Sequence, residues 1–300
     1  MLFVKPDFYD EFHCIADKCR HSCCLGWEID IDEESLSRFM AVEGDFGEYM
    51  RRNIELEPAP HFVLSPEERC PFLRDDGLCR MILTLGEDSI CDICREHPRF
   101  YNELPGRLEA GLGLSCEEAL RLLLAGKAHL ELISEGQDEG IEDELIELRS
   151  KIFAILRDDS ISFTARMEKA LDIFGMPPLE TDLAWLADFY LRLERLDEEW
   201  TRRLEALKSA PAIALEPELS SLPYLRIAEY FIYRHFATAP DEYEAGLRLQ
   251  FAFLSTRLIC ALDSIFKDSE SLRLYSSEIE YSDENVDKIL DYIDDNIPVD

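Results

Sequence analysis

Nine of the ten cysteines in this 300-residue chain lie in its first 116 residues: Cys14, Cys19, Cys23, Cys24, Cys70, Cys79, Cys91, Cys94 and Cys116. A chain of this length buries a sizeable core without disulfides. The opening Met1-Leu2-Phe3-Val4-Lys5-Pro6-Asp7 breaks its apolar run before a secretory h-region can form, so a cytoplasmic location is expected, where thiols stay reduced. Thiols that are crowded together yet not oxidised into pairs point to ligation of a soft metal. Buried core thiols and a redox dithiol are the plainer readings, and neither accounts for the crowding.

The spacing runs Cys14-x4-Cys19-x3-Cys23-Cys24, then Cys70-x8-Cys79, Cys91-x2-Cys94 and Cys116. Thiolates in tetrahedral array suit zinc, and the same residues suit an iron–sulfur cluster. Only Cys91-x2-Cys94 has the form of a zinc knuckle, and the Cys-x3-Cys-x2-Cys triad of radical adenosylmethionine enzymes is absent. Spacing leaves the choice of metal open. Adjacent Cys23 and Cys24 should project in different directions, so that one ligates while the other packs or serves a second site. Cys116 falls at the expected first turn of a helix, where the dipole and free N–H groups favour a thiolate. Cys260, set among Leu258, Ile259, Ala261 and Leu262, reads as a core thiol. His13, His21 and His97 lie near the cysteines and read as loop residues ahead of ligands.

Sixty-four acidic against 31 basic residues give a formal charge of −33. That field repels phosphate backbones and excludes nucleic acid as an expected partner, while it favours a cationic, lysine-bearing surface. A solvated acidic face that keeps the protein soluble is the plainer use of the same charge. The most apolar later stretch, Leu247 to Phe266, is interrupted by Arg248, Arg257 and Asp263, so no membrane span is expected.

The chain is expected to be mainly α, with a loop-rich cysteine region over 1–116 packed as one unit on an all-helical region over 117–300. Turn signals at Pro58-Ala59-Pro60, Asp75-Asp76-Gly77, Pro98 and Pro105-Gly106 crowd the first region, with one helix near Glu34 to Arg52. Ser115-Cys116-Glu117-Glu118 has capping-box spacing ahead of an apolar run. Further helices are predicted at about 141–157, 162–174, 182–208, 222–238, 242–267 and 284–296. Over 182–208, Leu186, Leu193, Trp200 and Leu207 share a seven-residue register that suits packing in a bundle, and Asp197 spoils the other register.

Phe12-His13-Cys14, Cys19, Cys23-Cys24-x2-Trp27, Cys70-Pro71-Phe72-Leu73-x3-Gly77-Leu78-Cys79, Leu85-Gly86-Glu87, Cys94-x2-His97-Pro98-Arg99 and Leu114-Ser115-Cys116-x2-Ala119 together resemble the flagellin lysine-N-methylase family. That family is related to cysteine-rich proteins described as zinc- or iron-chelating, and the match covers about residues 12–124. The resemblance implies methyl transfer from S-adenosylmethionine to lysine side chains of flagellin, with a [4Fe-4S] cluster held by the cysteines. No glycine-rich loop of the usual adenosylmethionine kind follows a strand; Gly111-Leu112-Gly113 is a weak match.

Methyl transfer needs the lysine as a neutral amine, and its free pKa is about 10.4. A proton acceptor and an apolar wall are both required. Glu28 is the candidate catalytic carboxylate and Trp27 the candidate wall, with Arg99 a candidate for binding the carboxylate of adenosylmethionine. Core packing of Trp27 and a structural ion pair of Arg99 are the plainer readings. The rival to an enzyme is a zinc- or iron-binding structural or interaction protein.

Overall fold

The computed structural model describes residues 1–126, 129–141, 143–179, 182–211 and 215–297. The chain divides into two compact units: Phe12–Phe100 with Cys116–Glu118, and Met1–Glu11 with Tyr101–Ser115 and Ala119–Asp300. The architecture is mainly helical, as the helical periodicity predicts. All nine early cysteines fall in the first of these units.

In chain order the cysteine-bearing unit holds α1 (Glu33–Met40), α2 (Gly44–Arg52), the short strands β2 (Ile54–Glu55) and β3 (His61–Phe62), α3 (Arg80–Leu85) and α4 (Asp92–Glu96). Its predicted single helix near 34–52 is thus two. The break has a steric and a conformational cause. Gly44 opens α2 at φ +76, and a Cβ on Gly47 would lie 1.9 Å from the Val42 carbonyl oxygen, so α2 turns back against the end of α1. The unit's small core is aromatic, with Phe39 stacked on Phe62 at 6.0 Å and Phe62 edge-on to Phe72 at 5.0 Å.

The second unit begins with β1 (Leu2–Pro6), which lies inside a mixed sheet of order β4-β5-β1-β6, where β4 is Arg99–Leu104, β5 Arg107–Leu112 and β6 Leu132–Gly136. β1 runs parallel to β5, with Leu2 opposite Arg107, and antiparallel to β6, with Leu2 opposite Gly136. β6 is a strand inside the region expected to be all-helical. The near-continuous burial of β1 and β5 marks strands covered on both faces. Lys5 is drawn into β1 because Asp10 and Glu135 neutralise it at 2.8 and 2.7 Å.

The helices are α5 (Glu117–Ala125), α6 (Glu144–Leu156), α7 (Phe163–Leu171), α8 (Leu183–Tyr190), α9 (Glu198–Lys208), α10 (Glu216–Leu219), α11 (Leu222–His235), α12 (Glu242–Phe266), α13 (Glu270–Tyr275) and α14 (Asp283–Asn296). The predicted helix over 182–208 is broken into α8 and α9. Asp197, which spoilt one register, is the N-cap of α9 and accepts from Glu199 N. The register that places Leu186, Leu193, Trp200 and Leu207 together marks their burial correctly on both sides of the break.

α12 has the length and hydropathy to cross a membrane, but 72% of its apolar window is buried inside the protein, as in the core helix of a globular unit. Cys260 on α12 is fully buried, in keeping with its reading as a core thiol. The Tyr233 hydroxyl on α11 lies within hydrogen-bond distance of Val4 O (3.0 Å) and Ala110 O (2.9 Å), tying that helix to adjacent strands β1 and β5. Arg149 on α6 grips buried Glu109 on β5 with two hydrogen bonds of 2.6 Å.

Candidate metal centre

Local chain geometry explains how cysteines distant in sequence meet. The Cys70 N–H donates to Cys24 O at 2.9 Å, next to an antiparallel bridge between Leu25 and Arg69. From Cys70 the chain turns through Leu73, which bridges back to Cys79 around the Asp75-Asp76-Gly77 turn. Gly77 has φ +79, and a Cβ there would lie 3.1 Å from the Asp17 Cα. This hairpin tip therefore lies against the short turn Ala16–Lys18 between Cys14 and Cys19. Cys79 is the N-cap of α3, Cys91 the N-cap of α4, and Cys94 sits within α4. Asp32 fixes the last of these by accepting from Asp92 N at 2.9 Å with one oxygen, while the other caps α1 through Ser35 N at 2.8 Å.

The thiols sort into two groups. A core group of Cys24, Cys70, Cys79, Cys91 and Cys94 packs into the aromatic core of the unit with Phe39, Phe62 and Phe72. Cys70 feels the charges of Cys24 and Cys79, and Cys94 those of Cys91, Cys24 and Cys70. Burial pushes the Cys70 thiol up to about 12. Cys94 donates to Cys91, raising its own pKa and lowering its partner's.

A surface group joins Cys14, Cys19, Cys23 and Cys116. Cys14 and Cys23 are exposed, and Cys19 and Cys116 are half-buried. Cys23 feels Cys14 and Cys116, and Cys19 feels Cys116. Cys19 Sγ lies 3.6 Å from the carboxylate of Glu117, the residue after Cys116 and the first of α5. The same carboxylate accepts from Arg20 N at 2.8 Å and Arg20 Nε at 2.9 Å, so Glu117 anchors the Cys19–His21 loop.

Cys23 donates to Cys24 across the divide between the groups. That hydrogen bond, with help from Ser22 and the charge of Arg69, favours the Cys24 thiolate despite its burial. All ten cysteines are free thiols. Among the described residues no three His, Cys, Asp or Glu side chains are placed to hold a metal ion as they stand. The donor set is nevertheless chemically suited to a soft metal, because thiols that burial keeps protonated ionise readily only beside a compensating cation.

The other candidates diverge. Trp27 is half-buried against the aromatic core, donates from Nε1 to Cys23 O at 2.6 Å and sits 6.2 Å from the His97 ring. Glu28, the next residue, is exposed and faces His61 Nε2 at 3.7 Å. Arg99 lies over the Phe12 ring at 5.5 Å and donates to Arg95 O at 3.4 Å. Burial holds His97 largely neutral, with its pKa lowered to about 4. Sequence reasoning missed His61, Asp32 and Glu117. His61 and Asp32 belong to no cysteine motif, although Asp32 ahead of Glu33-Glu34 carries a visible capping signal, and Glu117 follows Cys116 at an unspecified position of its motif.

The chain is 25% identical over 135 residues to a lysine-N-methylase of Salmonella typhimurium, covering 40% of this chain and 32% of that protein. It is 26% identical over 135 residues to a lysine-N-methylase of Salmonella choleraesuis, with the same coverage. To the flagellar biosynthetic protein FliU of Salmonella muenchen it is 28% identical over 128 residues, covering 40% of this chain and 76% of that protein. The matches to the two lysine-N-methylases thus span about a third of their length. No family model and no solved structure matches the chain. These relatives bear out the resemblance carried by the cysteine motifs, which is to the flagellin lysine-N-methylase family.

Proposed function

We propose that this chain is an S-adenosylmethionine-dependent protein-lysine N-methyltransferase of the cytoplasm, acting on flagellin and holding a [4Fe-4S] cluster with its cysteines. The observation that carries this reading is the gathering of nine thiols in one compact unit of a chain related to lysine-N-methylases. The core group would hold the cluster, since it offers more thiols than the four a cluster needs, in an apolar setting. S-adenosylmethionine, when bound, supplies an electrophilic methyl group.

The chain's own residues must then present a lysine as the free amine. Trp27 would furnish an aromatic wall that disfavours the ammonium form, and Glu28 would take the proton released. Arg99 would hold a carboxylate of the methyl donor. The formal charge of −33 favours encounter with a lysine-rich protein surface and weakens that encounter as salt rises.

The test incubates anaerobically reconstituted protein with labelled S-adenosylmethionine and flagellin from the same source, then maps methyl-lysine by mass spectrometry. Labelled lysines are the expected result. Iron-loaded protein that methylates no lysine removes the enzyme and leaves a metal-binding interaction protein.

A further inference from the structure

We propose that His61, Glu28 and Glu55 form a clasp for a primary ammonium group, and that it takes the side chain of an unmethylated lysine on a protein surface. The clasp rests on the proposed function only for the identity of the protein that carries the lysine.

Three chain segments bring these side chains together. β3 lies between β2 and residues 29–31: Glu55 on β2 pairs with His61, and a bridge sets Asp30 opposite His61 on the other side. The Ile31 N–H donates to Pro60 O at 2.7 Å and the Phe62 N–H to Ile29 O at 3.0 Å, which fixes that register. Directly paired residues of an antiparallel ladder share a face, and Glu28 stands two residues from Asp30. Glu28, Asp30 and Glu55 therefore surround the His61 imidazole on one face. All three acids are exposed, whereas His61 is only 9% exposed.

The hydrogen bonding of the ring leaves a gap that suits a donor. Nδ1 lies 2.8 Å from Ala59 O, and a carbonyl oxygen only accepts, so Nδ1 carries the proton. Nε2 of the neutral ring is then a bare acceptor. It faces carboxylate oxygens of Glu28 at 3.7 Å and Glu55 at 3.9 Å. An imidazolium bonded to either carboxylate would draw it in to about 2.7–2.9 Å. The longer separations are those of acceptors with no proton between them. Among the described residues no lysine or arginine lies within ion-pair distance of Glu28 or Glu55.

A primary ammonium carries three N–H donors and no acceptor, so it can answer two carboxylates and a ring nitrogen at once. Each methyl group added to it removes a donor and keeps the charge. A trimethylated lysine offers no donor, and the clasp thus selects substrate over fully methylated product. Capture takes the charged form in which a surface lysine arrives, and Glu28, the proton acceptor of the proposed function, is one arm of the clasp.

The test measures, by fluorescence anisotropy on the full chain purified anaerobically, the binding of a dye-labelled glycine peptide with one central lysine and of the same peptide with trimethyl-lysine. The formal charge of −33 attracts both peptides alike, so their difference isolates the hydrogen bonds. The lysine peptide should bind about tenfold or more tighter. Glu55→Gln and His61→Asn should each weaken the lysine peptide by about tenfold and barely move the trimethyl-lysine peptide. Asn keeps a donor in the place of Nδ1 and drops Nε2. Should His61→Asn fail to fold, Glu55→Gln at its exposed position carries the test. Glu34→Gln, exposed on α1, removes the same charge and should change neither affinity.

Equal affinity for the two peptides would overturn the clasp and leave only an acidic field. So would an undiminished preference for lysine in a folded Glu55→Gln or His61→Asn variant. Methyl transfer to flagellin, assayed on the same preparations, fails separately. Preference for lysine without transfer would remove the enzyme and keep the clasp, and transfer without preference would do the reverse.

Discussion

Asp32 divides its two carboxylate oxygens between two helices, capping α1 with one and receiving Asp92 N, next to Cys91, with the other. Partial burial opposes its charge, but these hydrogen bonds win and lower its pKa to about 2. A depressed carboxylate pKa stabilises the fold above the unfolded value of about 3.9, and that contribution fades as pH falls toward 2. Asp32→Ala should cost about 1 kcal/mol in chemical denaturation and flatten this acid dependence. His97 acts in a higher window. Burial lowers its pKa to about 4, so the unfolded chain binds its proton near pH 6.5 while the folded chain resists until about 4. Stability should decline across that interval on acidification, and His97→Gln should remove that share of the decline in pH-dependent melting. Cys260→Ala should leave metal content unchanged, because this thiol is buried in α12 and lies in the other unit.

At the scale of elements, the joints decide stability. Glu109 on β5 is fully buried and Arg149 on α6 nearly so, their charges matched by two short hydrogen bonds. Glu109→Gln leaves a buried guanidinium without its counter-charge and should cost about 3–5 kcal/mol in urea denaturation. A joint replacement of both residues by apolar ones of similar volume should cost far less. Asp197→Ala should cost about 1 kcal/mol through loss of the α9 cap. These joints were only partly legible. The helical period over 182–208 marks the buried residues correctly, because burial follows the period on either side of a break. The break itself came from a cap, which a periodic pattern reads as a polar interruption. β1 gave no strand signal that could name its partner, since its parallel pairing with β5 joins residues about a hundred positions apart.

For the whole molecule, the charge of −33 and the thiol-rich unit give the predictions that bear on function. The proposed methyl transfer to flagellin should weaken with rising salt, and the loss should appear in the apparent affinity for flagellin more than in turnover at saturation. The sequence by itself determined the helical class and the crowding of thiols into the first 116 residues, because both are written locally, in the period of apolar residues and in the positions of the cysteines. It also marked Cys260 as separate, since its neighbours on the helix are apolar. Tertiary structure alone decided that the thiols form a core group and a surface group. That division depends on the hairpin carrying Cys70 to Cys24 and on Glu117, next to Cys116, reaching Cys19 and Arg20. These encounters span long stretches of chain, and spacing along a sequence holds no record of which distant segments the packing of an aromatic core will bring together.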